Sequence, residues 1–405
     1  MESEPSRFGN WKESSVVYRI VALTLAMLAG ITLAAGPLGR SSETTARSRY
    51  VDTHMHIDGM LRGGGASPTG RGERRRPPRT RRDEMKGRSA SYTSATRNDY
   101  ETAGDNLVSL MDQYGVAFVL IMPPPQNPDQ RASYDYRALL PAVKKHPRRL
   151  GLVAGGGTLN PLIQGTDFSR VTSDVRKRFK EQAESLVAAG VKGFGELTAF
   201  HLCMSETHHY VASAPDHPLF LLLADIAAQH GLPIDMHMEA VTKESPTPPG
   251  LLQSCSYNPR TLPATIPAFE RLLAHNREAV IVWQHIGWDN TGQMTAKLLR
   301  RLLTAHENLY LSLRVEQREQ AIGGGPMLNR IVDGSGNIQS EWMKLIVDFS
   351  DRVLVGGDEF VGIPGKTPKR PQSFEETWSL LDKLPEPVAA KVGGDNARRI
   401  YPLDP

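Results

Sequence analysis

The stretch Val-Asp-Thr-His-Met-His at residues 51–56 places a His-x-His pair at the end of a short β-prone segment. Residues 50–53 predict a β-strand because they are largely aromatic, β-branched and apolar. Alternate side chains of an extended chain point the same way, so His54 and His56 can converge on one metal ion. The pair alone is also compatible with two unrelated surface histidines. The remainder of the chain must therefore decide between these interpretations.

Short apolar segments alternate with longer helical patterns from about residue 49 to the C-terminus, which is typical of repeated βα units. Strands are predicted at 50–53, 116–122, 150–154, 191–195, 232–236, 279–284, 309–313 and 352–356. Most are continuous apolar runs, as expected for a parallel sheet covered by helices. Amphipathic helices are predicted at 179–189, 219–230 and 296–306. Eight such units predict an α/β fold, a (β/α)8 TIM barrel forming a single catalytic domain, with an open doubly wound sheet as the alternative.

The N-terminal residues have a different composition from the barrel segment. An apolar run at 20–36 follows Lys12 and Arg19 and ends in small residues, a pattern typical of a signal peptide. We interpret 1–36 as a signal peptide or an N-terminal membrane anchor, 37–48 as a linker and 49–405 as the barrel, with a buried helix at 20–36 as the remaining alternative. The barrel is then exported, either periplasmic or secreted, or held outside the cytoplasm by an uncleaved anchor.

The positive charge is concentrated in one place. The formal net charge is +4, and residues 71–88 contain nine Lys or Arg against three Asp or Glu. Because the rest of the chain is close to neutral, its charge does not support nucleic-acid binding. The surrounding segment 62–97 is rich in Gly, Ser, Pro and Arg. It predicts a mobile polar insertion after the first strand, with a lid or an anion-docking patch as alternatives.

Two cysteines, Cys203 and Cys255, exclude a cysteine-rich zinc module or a disulfide scaffold. Both fall in loops predicted at the same end of the barrel. In an exported chain they could form one bridge, and two unpaired thiols are the alternative.

Metal-ligand residue types also follow other predicted strands. Glu196 follows the fourth, His237 the fifth, His285 the sixth and Asp358 the eighth. Each alone is compatible with a core histidine, a helix cap or a polar loop residue. A barrel brings its strand ends together around one axis, and a mixed set of nitrogen and oxygen donors suits Zn²⁺ or a similar divalent ion. The sequence therefore predicts a metal site.

These residues resemble the amidohydrolase superfamily, and more narrowly amidohydrolase family 2, a branch of barrel metal-dependent hydrolases that includes some decarboxylases. The resemblance extends over residues 50–401. It rests on the segments DTHMH at 52–56, GFGEL at 193–197 and NARRIY at 396–401, and on His237, His285 and Asp358.

The resemblance implies that His54, His56, His237 and Asp358 bind the metal. His285 would be a further ligand or a catalytic residue. Many relatives carry a carboxylated lysine after the fourth strand that bridges two metals, whereas this chain offers Glu196, and Lys192 lies too early in the strand. One or two ions are therefore both compatible with the sequence.

The expected reaction is hydrolysis of an amide, ester, lactone or related bond of a small molecule by metal-activated water. Asp358 would accept the proton of the water and His285 would polarise a substrate oxygen, or these roles would be exchanged. Non-oxidative decarboxylation of a small aromatic or unsaturated acid uses the same residues, and a catalytically silent binding barrel is a further alternative. The expected partner is a small-molecule substrate, homo-oligomers are compatible with the sequence, and membrane contact is expected only if 1–36 is uncleaved.

Two further groups of residues lie near the predicted ligands in the sequence. The segment 198–217 is predicted to be a loop whose histidines, including His201 and His217, are surface or substrate-facing residues and not a second metal site. Asp216 and His217 are expected to begin the next helix. Trp283 and Trp288 flank His285, and core packing is favoured over a role as pocket walls.

Overall fold

The computed structural model describes residues 50–57, 60–62, 92–94, 96–128, 135–204, 210–316, 326–363 and 373–403. The described residues all belong to one compact unit. The predicted signal peptide or anchor at 1–36 and the linker at 37–48 lie outside the described residues. Among the described helices, none combines the length and the hydropathy that a membrane crossing requires.

Parallel strands form the centre of the fold. They are β1 (Val51–Ile57), β2 (Phe118–Ile121), β3 (Leu150–Gly155), β4 (Gly193–His201), β5 (Ile234–Met238), β6 (Ile281–Ile286), β7 (Leu309–Leu313), β8 (Val353–Val355) and β9 (Glu359–Val361). From β1 to β8 each strand pairs in parallel with the next strand in the chain. The strands are buried almost throughout, which explains their continuous apolar sequences.

The last two strands close the sheet. β8 pairs with β7 and β9 pairs with β1, so the two short strands together occupy the eighth position of the barrel. The Thr53 hydroxyl donates to the Val355 carbonyl at 2.9 Å, and the Asp358 backbone N–H donates to the His54 carbonyl at 2.7 Å. The predicted (β/α)8 barrel is confirmed.

Glycine permits this closure. A Cβ atom on Gly356 would lie 2.7 Å from the Ser312 hydroxyl and 2.8 Å from the Cβ of His54, both below ordinary contact distance. Only a residue without a side chain lets the eighth strand position approach β1 and β7 this closely.

Helices alternate with the strands. They are α1 (Arg97–Tyr114), α2 (Tyr136–Lys145), α3 (Asn160–Gly165), α4 (Ser173–Ala188), α5 (Pro218–His230), α6 (Pro249–Ser254), α7 (Ile266–His275), α8 (Ala296–Ala305), α9 (Ser340–Asp348), α10 (Phe374–Leu381), α11 (Glu386–Ala390) and α12 (Asn396–Ile400). Short 3₁₀ turns lie at Phe168–Arg170 and Ser350–Arg352, and a π-turn lies at Lys391–Asp395. A capping box of Thr96 and Asp99 starts α1, and Gly231 in the left-handed conformation ends α5.

Several predicted boundaries were wrong. β1, β5 and β6 extend beyond their predicted ends, because polar and histidine residues continue the ladder pairing after the apolar run. The predicted loop 198–217 begins inside β4, whose last residues pair with the short strand Val211–Ala212. As predicted, α5 begins directly after Asp216 and His217.

The polar insertion predicted at 62–97 was also too long at both ends. The short strands Met60–Arg62 and Tyr92–Ser94 pair in antiparallel fashion, and Arg97 already belongs to α1. Residues 63–91, which include the basic stretch, lie outside the described residues.

Candidate metal centre

Strand β1 brings the two histidines of the His-x-His pair together. His54 and His56 are both buried, and their Nε2 atoms lie 3.1 Å apart. His56 Nδ1 contacts the Met122 carbonyl at 2.9 Å, which orients the ring so that Nε2 faces His54. Phe360 stacks on the same ring with the centroids 4.6 Å apart. The imidazole of His56 is therefore held on three sides.

Glu196 lies between two pairs of histidines. Its Oε1 is 2.9 Å from His237 Nδ1 and 2.9 Å from His285 Nε2. Its Oε2 is 3.6 Å from His54 Nε2 and 3.4 Å from His56 Nε2. One buried carboxylate thus faces histidines from three different strands, with one oxygen toward each pair.

Asp358 completes the cluster at the end of the eighth strand position. Its Oδ1 lies 3.6 Å from His54 Nε2 and 3.5 Å from His56 Nε2, while Oδ2 lies 3.2 Å from His285 Nδ1. Arg314 Nη1 donates to the same Oδ2. The backbone φ of Asp358 is +51°, a conformation that Asp tolerates better than most residues.

All six candidate residues of the sequence analysis therefore lie together. Five of them lie within strands and not after them, whereas Asp358 follows β8, as predicted, and directly precedes β9. Three overlapping groups have donor atoms within 4.8 Å of one another: His54 with His56 and Glu196, His54 with His285 and Asp358, and Glu196 with His237 and His285.

The carboxylates strongly perturb the histidines around them. Burial alone would lower the pKa of His56, but hydrogen bonds and charges from Asp358 and Glu196 outweigh burial and raise it to about 10. The same balance raises the pKa of His285 to about 9. In His54 burial dominates and lowers the pKa to about 4. Both carboxylates therefore favour the protonated forms of His56 and His285.

Burial alone would raise the pKa values of Glu196 and Asp358. The charge of His54 and hydrogen bonds from His237 and His285 instead hold the pKa of Glu196 well below its usual range. The charges of His285 and Arg314 do the same for Asp358. Both carboxyl groups are therefore ionised, which a cation ligand requires.

The donor set fits divalent metal ions on chemical grounds. Four imidazoles and two ionised carboxylates point into this cluster. The carboxylate oxygens lie 3.4–3.6 Å from His54 Nε2 and His56 Nε2, which is longer than most direct hydrogen bonds. Mixed nitrogen and oxygen donors of this kind suit Zn²⁺ and related ions. The His56 contact to the Met122 carbonyl is the type of outer hydrogen bond that orients a metal-binding histidine.

Sequence reasoning missed Arg314 and Glu239 and underestimated Trp288. Glu239 directly follows β5, so the rule that found the other site residues would have identified it, whereas Arg314 directly follows β7 but is not a metal-ligand residue type. Its guanidinium lies 4.0 Å from the centroid of the Trp288 ring, which places Trp288 beside the site. Trp283 is fully buried and packs against Phe269, so core packing is confirmed for that residue.

The histidines of 198–217 have separate positions. His201 lies at the end of β4, with its ring 4.5 Å from that of His237, so it belongs to the wall of the site and not to a surface loop. His217 caps α5 by accepting a hydrogen bond from the Leu219 backbone N–H. His208 and His209 lie outside the described residues.

Cys203 and Cys255 form a buried disulfide with Cα atoms 5.8 Å apart. Asn258 binds both the N–H and the carbonyl of Cys203, each at 2.8 Å. The bridge therefore ties the segment after β4 to the segment after β5. Of the two alternatives left by the sequence, the bridged form is confirmed.

Comparison with known proteins identifies relatives of this fold. A family model described as amidohydrolase matches residues 165–403, more than half of the chain. No curated protein sequence matches the chain significantly.

Several solved structures are similar. One is 4-oxalomesaconate hydratase from Rhodopseudomonas palustris, with 11% identity, a TM-score of 0.47 and coverage of 87% of this chain and 95% of that chain. A variant of organophosphorus hydrolase has 14% identity, a TM-score of 0.46 and coverage of 88% and 93%. An amidohydrolase from Mycobacterium avium subsp. paratuberculosis has 12% identity, a TM-score of 0.42 and coverage of 87% and 98%.

Proposed function

Because the chain belongs to amidohydrolase family 2, we propose that it is a metal-dependent hydrolase acting on an amide, ester, lactone or related bond of a small molecule. The observation that carries this proposal is the position of Glu196 between two histidine pairs, with Asp358 on one side. A buried cluster of ionised carboxylates and imidazoles stabilises the fold no better than apolar residues would. Such clusters are typical of functional sites.

We propose that His54, His56 and Asp358 hold one divalent ion and that His237 and His285 hold a second. Glu196 would contribute one oxygen to each ion, because its two oxygens face the two groups separately. In this arrangement Glu196 takes the place of the carboxylated lysine of many relatives. Zinc is the ion that the donor set suits best.

The residues around the ions would accept and donate the protons of the reaction. A bound divalent ion supplies a nucleophile near neutral pH because it lowers the pKa of water to about 7. Asp358 Oδ2 lies 3.2 Å from His285 Nδ1, whose N–H would donate to it and orient the carboxylate, while Asp358 would accept the proton of the water and deliver it to the leaving group. If His285 did not bind an ion, its N–H would instead polarise the substrate oxygen.

Metal analysis tests the proposal directly. We expect plasma mass spectrometry to find one or two equivalents of zinc or another transition metal in the purified chain, and a loss of metal in the double variant His54→Ala/His56→Ala. The matched control is His146→Ala/His275→Ala, since these histidines pair with Asp105 and Asp225 away from the site. Absence of metal from the wild-type chain after reconstitution would refute the metal-hydrolase proposal.

The loaded protein then allows the reaction types to be separated. Hydrolysis of an amide or ester should release an acid together with an amine or alcohol, and hydrolysis of a lactone should give a single hydroxy acid. Release of carbon dioxide from small aromatic or unsaturated acids would instead identify the decarboxylase alternative. Metal binding without turnover of either substrate class would favour a silent binding barrel.

We also propose that the protein is exported. The apolar run at 20–36 favours this, and the buried bridge between Cys203 and Cys255 supports it because disulfides persist in oxidising compartments. Sequencing the N-terminus of the protein from its natural source tests the proposal. Cleavage near residue 36 supports a signal peptide, and an intact N-terminus in a membrane fraction supports an anchor.

A further inference from the structure

Arg314 makes two specific contacts beside the candidate metal centre. Its Nη1 donates to Asp358 Oδ2, and its guanidinium carbon lies 4.0 Å from the centroid of the Trp288 ring. Both side chains of the ion pair are largely buried, with 14% of Arg314 and 17% of Asp358 exposed. A shielded charge-assisted hydrogen bond of this kind is stronger than a surface ion pair.

The two oxygens of Asp358 have different contacts because of this ion pair. Oδ2 contacts Arg314 and His285, whereas Oδ1 is the oxygen that faces His54 and His56. A carboxylate that is free to rotate could present either oxygen, or both, to an ion. Holding Oδ2 leaves Oδ1 as the atom directed at the His54 and His56 side.

Trp288 is itself anchored to the neighbouring strands. Its Nε1 donates to Asn290 Oδ1 at 3.0 Å, and Asn290 Nδ2 donates to Glu239 Oε1 at 2.8 Å. Glu239 follows β5, Trp288 follows β6 and Arg314 follows β7. The plane on which the guanidinium stacks is therefore set by contacts that span four neighbouring strand positions, ending at Asp358.

We propose that Arg314 is a positioning residue that reserves Asp358 Oδ1 for the ion held with His54 and His56, with Trp288 fixing the plane of its guanidinium. This inference rests on the proposed metal-dependent function. Asp358 would touch the ion, and Arg314 would act only through Asp358.

Electrostatics alone predicts the opposite effect of removing Arg314. A positive charge beside a cation site repels the cation, so loss of that charge should tighten metal binding. Loss of a positioning contact should weaken it, since removal of an outer partner of a metal ligand typically costs about 10–100-fold in affinity. The sign of the change in affinity therefore separates the two roles.

Cobalt titration of the full-length chain provides the test. We expect Arg314→Met to raise the apparent Kd for Co²⁺ at least roughly tenfold and to alter the visible d–d absorption bands, which report ligand geometry. Arg314→Lys keeps the charge and one donor, so it should restore part of the affinity. The control Arg300→Met removes a surface ion pair with Asp348 and should leave both readouts unchanged.

Unchanged or tighter cobalt binding with an unchanged spectrum in Arg314→Met would overturn the inference. If that variant does not fold, Trp288→Leu provides the second test, because it removes the stacking surface and keeps the charge; wild-type affinity and spectrum in this variant would overturn the proposal. Failure of the proposed function would be visible separately, as absence of cobalt binding by the wild-type chain.

Discussion

Asp52 accepts a hydrogen bond from the backbone N–H of Gly357 through both of its carboxylate oxygens, each at 3.1 Å. The same carboxylate accepts the His54 backbone N–H at 3.0 Å and the Tyr50 hydroxyl at 2.9 Å. Asp52 is fully buried, and it ties β1 to the turn that carries Asp358. One side chain thus connects the two segments that supply His54, His56 and Asp358.

Replacement of Asp52 should therefore destabilise the barrel. Asp52→Ala leaves three buried donors without an acceptor, and each such group costs about 1–3 kcal/mol, so we expect a loss of at least about 3 kcal/mol in the free energy of unfolding. Urea denaturation of the metal-free protein measures this loss. Asp52→Asn keeps one acceptor oxygen and the side-chain volume, and should lose less; equal losses in both variants would contradict the explanation.

Glu196→Gln tests the proposed sharing of one carboxylate between two ions. The amide has the shape of Glu196 but carries no charge and only one oxygen, so it cannot serve both histidine pairs. We expect metal content to fall from two equivalents to one or fewer, measured by plasma mass spectrometry. Glu270→Gln is the control of equal size, since Glu270 pairs with Arg301 away from the histidines. Two tightly bound ions in Glu196→Gln would rule out the bridging arrangement.

Metal uptake should release protons. In the metal-free protein Asp358 and Glu196 overcome burial and raise the pKa values of His56 to about 10 and of His285 to about 9. Both rings are therefore protonated below pH 9 and must lose a proton to bind an ion. Because binding releases protons, the affinity for the metal should rise with pH, roughly tenfold per pH unit for each proton released.

Isothermal titration of zinc between pH 6 and pH 8, in two buffers with different ionisation enthalpies, measures this release. The observed binding enthalpy should depend on the buffer, with a slope equal to the number of protons released. A slope of zero at pH 7 would show that the imidazoles are already neutral before the ion binds.

The disulfide should stabilise the site end of the barrel. Cys203 and Cys255 are 52 residues apart, and a closed loop of that length gives about 4 kcal/mol in the chain-entropy model. Reduction should therefore lower the thermal unfolding midpoint. The variant Cys203→Ser/Cys255→Ser should show a similarly low midpoint without any response to reductant. An equal response of this variant and the wild type would exclude the disulfide as the cause.

Gly356→Ala should disturb both stability and metal binding. The added methyl group would overlap the Ser312 hydroxyl and the Cβ of His54, and overpacking of this kind typically costs about 1–3 kcal/mol. We expect weaker zinc binding together with a lower unfolding free energy. In Gly190→Ala the methyl group enters open space, so only the cost of the positive φ is expected, with zinc binding unchanged. Unaltered zinc binding in Gly356→Ala would show that His54 tolerates the shift.

The sequence alone was sufficient for the barrel and for its candidate ligands. Buried parallel strands require continuous apolar runs, and such runs at 309–313 and 150–154 predicted β7 fully and β3 to within one residue. The two histidines of the His-x-His pair in β1 point to the same side, because side chains alternate along a strand. His237, His285, Glu196 and Asp358 were identified because a barrel brings equivalent strand ends to one axis.

Tertiary structure decided the remaining features because they depend on contacts between distant segments. The orientation of Glu196 toward two histidine pairs, and the contact of Arg314 with Asp358, arise from the pairing of separate strands and leave no local pattern in the chain. The same holds for the pairing of Cys203 with Cys255, which local composition left open. The kinds of donor were therefore evident from the residues themselves, whereas the oxygen or nitrogen atom that each presents was decided only by the closed sheet.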